Sequence, residues 1–214
     1  MPPNGESTRW TVLGDPTEAA LLVAARKGGL DLDVAAQQMP RIRELPFDSR
    51  RKRMTTIHQD KRGHIALIKG APKEVLDLCT HRQIRGVREP LDEAQRTAIL
   101  AANDAYARES LRVLAMATRT VPENVDTTTA AAVETELTFL GLAAMADPPR
   151  PEVAAAVEAC HRAGIRIVMI TGDYGLTAES IARKIGIVRG AQPRIVTIVQ
   201  ITAILYIFVT RITT

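Results

Sequence analysis

RIRELPFDSRRKRMTTIHQDKRGHIALIKG, residues 41–70, decides the fold through its alternation. Arg41 to Phe47 and Met54 to His58 read as two strands around an irregular basic turn, and His64 to Lys69 reads as a third strand ended by Gly70. Strands this close in sequence pair antiparallel. Upstream, Trp10 to Leu13 reads as a short strand. Asp15-Pro16-Thr17-Glu18 then opens the apolar run AALLVAA, with Asp at the N-cap, Pro at the first helical position and Glu at the third. That helix stops at Gly28-Gly29. Downstream, Pro72 starts a short helix to Cys79, Asp92 caps a longer helix to Glu109, and Arg112 to Thr118 reads as a strand. The pattern is mixed α/β with antiparallel hairpins.

A polar stretch between Val121 and Glu136 marks a junction. Beyond it come a strand (Thr138 to Met145), a Pro-rich turn (147–151), an Ala-rich helix ending at Gly164, an apolar strand (Ile165 to Ile170) and a helix through Lys184. An unbroken apolar strand between helices predicts a parallel sheet covered on both faces. The expected organisation is therefore one domain over 1–136, part of a second over 137–190, and a divergent apolar tail over 191–214.

Composition narrows the class. The 214 residues suit one to two domains; 46% are apolar and 24% charged, which excludes intrinsic disorder and a multi-span membrane protein. Aromatics, at 3%, are too few for stacking along single-stranded nucleic acid, so no nucleic-acid partner is expected. The net charge of +4 sits between Arg41 and Arg53, which hold six basic and two acidic residues. Cys79 and Cys160 form no CxxC pair, and the N-terminus lacks the features of a secretory signal. Residues 195–210 carry no charge over 16 positions, short of the roughly 20 needed to cross a bilayer, so a strand is the better reading.

Several residues could carry chemistry. Thr171-Gly172-Asp173 follows the carboxyl end of the second apolar strand, where parallel sheets hold their ligands, although Gly and Asp are also ordinary turn residues. Asp147 would emerge on the same edge if the two strands are neighbours; taken alone, Asp before two prolines is a rigid turn. Lys69-Gly70 at a strand end suits a phosphate, or is a solvated strand-end lysine. Phe47 suits a base with Lys52 nearby, or the core. Arg50 to Arg53 alone is a solvated face, of interest only as a rim around a polyphosphate. Glu18 is already explained as half of a capping box. The four histidines show no metal-ligand spacing, and no GxSxG, Walker A or GxGxxG sequence occurs.

Six blocks in one order carry a resemblance: GDPTEAAL (14–21), PFDSRRKRM (46–54), KGAPKEVLDLC (69–79), RVLAMATR (112–119), DPPRPEV (147–153) and MITGDYGLTAESIARKIGI (169–187). Together, over residues 10 to 194, the chain resembles the cytosolic part of P-type cation-transporting ATPases, in the group that includes calcium and sodium/potassium pumps. The resemblance implies an α+β nucleotide-binding domain with an antiparallel sheet, joined to part of a haloacid-dehalogenase-like α/β phosphorylation domain. It implies ATP and Mg²⁺ as cofactors, and the cytoplasmic face of a membrane as the location. Phe47 would stack on adenine, Glu18 would border that pocket, and Lys69 with Gly70 would lie deep in it. Lys52 and Arg112 would serve the phosphates. Asp147, Thr171, Gly172 and Asp173 match positions near the transferred γ-phosphoryl.

The departures are specific. The family's phosphorylated aspartate, in DKTGT, does not occur in these residues, nor does TGDGVNDAP, whose carboxylates hold Mg²⁺. KGAPK also replaces the commoner KGAPE. The expectation is thus a monomeric fragment of an ATP-driven cation pump that binds ATP but lacks the parts for turnover, its partners being ATP and the pump's remaining segments. The rival readings are a non-catalytic regulatory or interaction module with the pump fold, and a small haloacid-dehalogenase-like phosphatase, which would lack its nucleophilic DxD. The transported ion is not readable here.

Overall fold

Aspartates start the first two helices. Asp15 Oδ1 accepts from the backbone N–H of Thr17 at 2.6 Å and of Glu18 at 3.3 Å, and Pro16 fixes the first helical φ of α1 (Pro16–Lys27). Asp31 caps α2 (Leu32–Gln38) in the same way, at 3.0 and 3.1 Å, a helix the sequence reading lacks. A computed structural model describes residues 14–61, 63–146, 148–190 and 193. The expected strand at Trp10 to Leu13 and the apolar tail lie outside the described residues.

The chain divides into two units, residues 1–106 with 111–146, and residues 107–110 with 147–214. In the first, β1 (Arg41–Asp48), β2 (Arg53–Asp60) and β3 (Gly63–Gly70) form the expected antiparallel run. They are followed by α3 (Pro72–Leu76), the hairpin β4 (Cys79–Ile84) and β5 (Val87–Pro90), α4 (Glu93–Arg108), β6 (Leu111–Val121), the single turn α5 (Ala130–Val133) and β7 (Leu137–Ala146). The seven strands take the order β1-β2-β3-β6-β7-β4-β5, and only β4 and β7 pair in parallel. A mixed α/β chain with a mostly antiparallel sheet is what the sequence predicts.

Alternation divides the sheet into faces. Thr55 and Ile57 on β2, Ala66 and Ile68 on β3, and Ala115 and Ala117 on β6 are buried, and Val75 and Leu76 of α3, Val133 and Leu137 complete the core around them. Arg96 of α4 donates to the carbonyls of Leu76 and Cys79 and so ties that helix to the α3–β4 connection. A reciprocal cap starts α4. Asp92 Oδ1 accepts from the Gln95 N–H at 2.7 Å, and Gln95 Oε1 accepts from the Asp92 N–H at 3.1 Å.

Two expectations change here. The junction expected at 136/137 assigns residues 137–146 to the second domain, yet β7 pairs antiparallel with β6 and parallel with β4, so the first unit ends at Ala146. The reason is burial: Leu137 and Phe139 complete the first unit's core. The expected strand Ile165 to Ile170 is also not one. It takes no regular structure and has no ladder partner among the described residues, with Val168 73% and Ile170 91% exposed. A strand needs a neighbouring ladder, and among the described residues the second unit supplies none, because the expected partner at 138–145 belongs to the first sheet. The described part of that unit consists of α6 (Val153–Arg162) and α7 (Gly175–Lys184), which bury Val157, Thr177 and Ala182. Among the described residues no helix is long and apolar enough to cross a membrane.

If β7 closes the first core, Leu137→Ala removes a side chain of 0% exposure and destabilises the first unit by about 3 kcal/mol. Urea unfolding followed through that unit's amide resonances checks this, and a loss confined to the second unit's resonances would contradict the assignment.

Candidate functional site

Glu18 sits at the third position of α1, yet Asp15 alone caps the helix. The Glu18 carboxylate forms an ion pair with Lys69 Nζ, across 51 residues of sequence, rather than closing a capping box. Lys69 follows the buried Ile68 on β3, so alternation keeps it off the core face; its register partners are Met54 on β2 and Met116 on β6. Its side chain is 22% exposed and that of Glu18 51%. Arg112, near the start of β6, donates from Nη1 to Thr17 Oγ1 at 3.2 Å. The first turn of α1 thus contacts two of the expected residues on the sheet, Lys69 through Glu18 and Arg112 through Thr17.

The β1–β2 connection carries two more. Asp48 Oδ1 accepts from the backbone N–H of Arg50 and of Arg51, each at 2.9 Å, and the Asp48 carbonyl accepts from the Lys52 N–H at 2.6 Å. This closes a tight turn with Lys52 at φ +51°. The Lys52 ammonium pairs with Glu74 of α3 at 2.6 Å. The pairing of β1 with β2 is irregular between Leu45 and Asp48, which breaks the alternation. Leu45 is buried, whereas Phe47 is 63% exposed and stands outside the core.

Gly70 has a structural explanation. A Cβ there would stand 2.4 Å from Arg53 Cβ and 2.6 Å from the Lys52 carbonyl oxygen, which itself accepts from the Ala71 N–H at 2.9 Å. The missing side chain admits the start of β2, and this seats Lys52 beside the end of the Lys69 strand.

The basic tetrad is not a uniform solvated face. Arg51 and Arg53 both pair with the carboxylate of Glu134, whose side chain is 1% exposed, while Arg50 is 91% exposed. Sequence reasoning missed Glu134 because it lies in a stretch read as a polar junction; its one sequence signal is a position just ahead of the apolar run LTFLGL.

In the second unit, Thr171 Oγ1 accepts from the Asp173 N–H at 3.0 Å and donates to Asp173 Oδ2 at 3.1 Å, a closed local turn ahead of α7. A Cβ on Gly172 would meet nothing within 4 Å. Asp147 lies outside the described residues. A groove of about 570 Å³ lies elsewhere in the first unit, lined in part by Ala98, Tyr106 and Phe139, and it includes none of the expected nucleotide residues. Among the described residues no group of three or more His, Cys, Asp or Glu could hold a metal ion.

Residues 1–152 match the family model described as "P-type ATPase, cytoplasmic domain N". The chain is 41% identical over 192 residues to the probable cation-transporting ATPase F of Mycobacterium tuberculosis, covering 88% of this chain and 21% of that protein. It is 45% identical over 175 residues to calcium-transporting ATPase 1 of Bacillus cereus (81% of this chain, 19% of that one). It is 39% identical over 186 residues to a sodium/potassium exporting P-type ATPase of Schizosaccharomyces pombe (86% and 18%). The chain belongs to the P-type cation-transporting ATPase family. It spans about a fifth of the length of these relatives.

Hydrogen bonds from Thr17 hold the Asp15 carboxyl below its usual range, as those from the Arg51 and Arg50 amides do for Asp48. Burial pushes Glu74 up, but the hydrogen bond from Lys52, a backbone hydrogen bond and the charges of Lys52 and Lys73 together outweigh it, and the net direction is down. A depressed folded pKa stabilises above the unfolded value and is lost as pH falls through the folded one. The melting temperature should therefore fall on acidification below about pH 4. Asp48→Asn should lower it at pH 7 and flatten the acid limb, as thermal melts across pH would show.

Proposed function

We propose that this chain is the nucleotide-binding part of a cation-transporting P-type ATPase and that it holds ATP on the face shared by α1, β3, β6 and the β1–β2 turn. The observation that carries this reading is the pair of contacts that α1 makes with distant strands, Glu18 with Lys69 across 51 residues and Thr17 with Arg112 across 95, with an exposed Phe47 on the same sheet. Phe47 stacks on adenine, Glu18 and Lys69 line the base end of the pocket with Gly70 at its floor, and Lys52 and Arg112 neutralise phosphate charge.

Lys69 pairs with Glu18 and Lys52 with Glu74, and ATP binding exchanges these carboxylates for phosphate or base contacts. Mg²⁺ would arrive with ATP, whose phosphates Lys52 and Arg112 would hold. It supplies charge neutralisation at the γ-phosphoryl. Residues 147–190 form part of the phosphorylation domain, with Asp147, Thr171, Gly172 and Asp173 near the transferred group. In the longer pump, at the cytoplasmic face of a membrane, hydrolysis through an aspartyl-phosphate moves cations, and these residues hold the ATP.

Calorimetric titration of Mg-ATP tests the reading. Phe47→Ala should weaken binding about tenfold or more, the scale of one lost base–aromatic stack; equal affinity for the two proteins would reject the stacking role. The rival reading is a non-catalytic regulatory or interaction module of the same fold. An ATP analogue that leaves Lys69 open to amine labelling would support that rival.

A further inference from the structure

The Glu134 carboxylate is held by three donors from the opposite side of the sheet sequence. Arg51 Nη1 and Thr55 Oγ1 donate to Oε1, the latter at 2.8 Å, and Arg53 Nε donates to Oε2 at 2.7 Å. Both guanidiniums then reach back to the turn. Arg51 Nη2 donates to the Pro46 carbonyl at 2.8 Å, and Arg53 Nη1 donates to the Arg51 carbonyl at 2.9 Å. Pro46 directly precedes Phe47, and Arg51 directly precedes Lys52. The two residues given the adenine and phosphate roles are therefore each anchored, one peptide away, by a guanidinium that Glu134 holds.

We propose that Glu134 is a positioning residue of the nucleotide site, fixing the Phe47 ring and the left-handed Lys52 turn through Arg51 and Arg53. The inference rests on the nucleotide-binding reading above. The buried carboxylate leaves the Arg–Glu–Arg group with one net positive charge beside the turn, so its loss alters geometry as well as field. Glutamine in its place keeps the size and one acceptor but cannot hold two guanidiniums as a carboxylate does.

The test is a double-mutant cycle on the full chain, read by titration with Mg-ATP and by thermal melting. Glu134→Gln should weaken nucleotide affinity of the folded protein about tenfold. Lys52→Ala, which weakens the wild type, should then have little further effect, within about twofold, because the lysine is already misplaced. If Glu134→Gln lowers the melting temperature alone, leaving affinity and the Lys52→Ala effect intact, the residue is structural and the inference is overturned. Should Glu134→Gln fail to fold, Arg51→Lys, which keeps the charge but loses the fork to Pro46, carries the same cycle with the same outcomes. A wild-type chain with no affinity for Mg-ATP rejects the nucleotide reading itself, and this inference with it, before any variant is compared.

Discussion

A carboxylate taken out of water holds the first unit together at its least regular point. Glu134 is 1% exposed and lies 79 to 83 residues from its three donors. A buried charge is tolerated only when paired and hydrogen-bonded, and removing one partner of such a group costs about 3–5 kcal/mol. The chain that enters β7 is thereby fastened to the turn between β1 and β2, although β3 and β6 lie between β2 and β7 in the sheet.

The cation pairs around the site follow the same electrostatic logic at lower stakes. Lys69 with Glu18 and Lys52 with Glu74 are partly exposed pairs, and solvent screens them far more than the Glu134 cluster. Weak pairs of this kind exchange readily for a polyphosphate, whereas the clustered pairs of Arg51 and Arg53 do not. Alternation along Arg50 to Arg53 thus separates residues that build the turn from residues that face outward. A sequence of four consecutive cations conceals that division.

Strong local signals were legible in the sequence. Asp15-Pro16 and Asp92 fix helix starts through their own caps, and the alternation from Arg41 to Lys69 fixes three strands. The hairpin of β4 and β5 was not legible, because its turn places Arg85 at φ +50° beside Gly86 and so lacks the Asn-Gly or Asp-Gly pair that marks such turns. The run Ile165 to Ile170 misled in the opposite direction: its apolarity suits a buried strand, but apolarity does not supply a ladder partner. At the site, the ordered blocks pointed to Glu18, Lys69 and Arg112, of which the fold pairs Glu18 with Lys69 and sets Arg112 against the neighbouring Thr17. Glu134 escaped notice because a single acidic residue in a polar stretch has no periodicity, and its role depends on a pairing that only the folded chain creates.

The central claim is that an exposed ring and distant cations form one receptacle for a nucleotide. The most direct measurement is the set of magnetisation transfers between adenine protons of bound Mg-ATP and protein side chains, recorded by isotope-filtered NMR. Contacts from the adenine H2 and H8 protons to the Phe47 ring, with phosphate-dependent shifts at Lys52 and Arg112, are the predicted result. Adenine contacts to Tyr106 and Phe139 of the other groove, with Phe47 unaffected, would contradict the account.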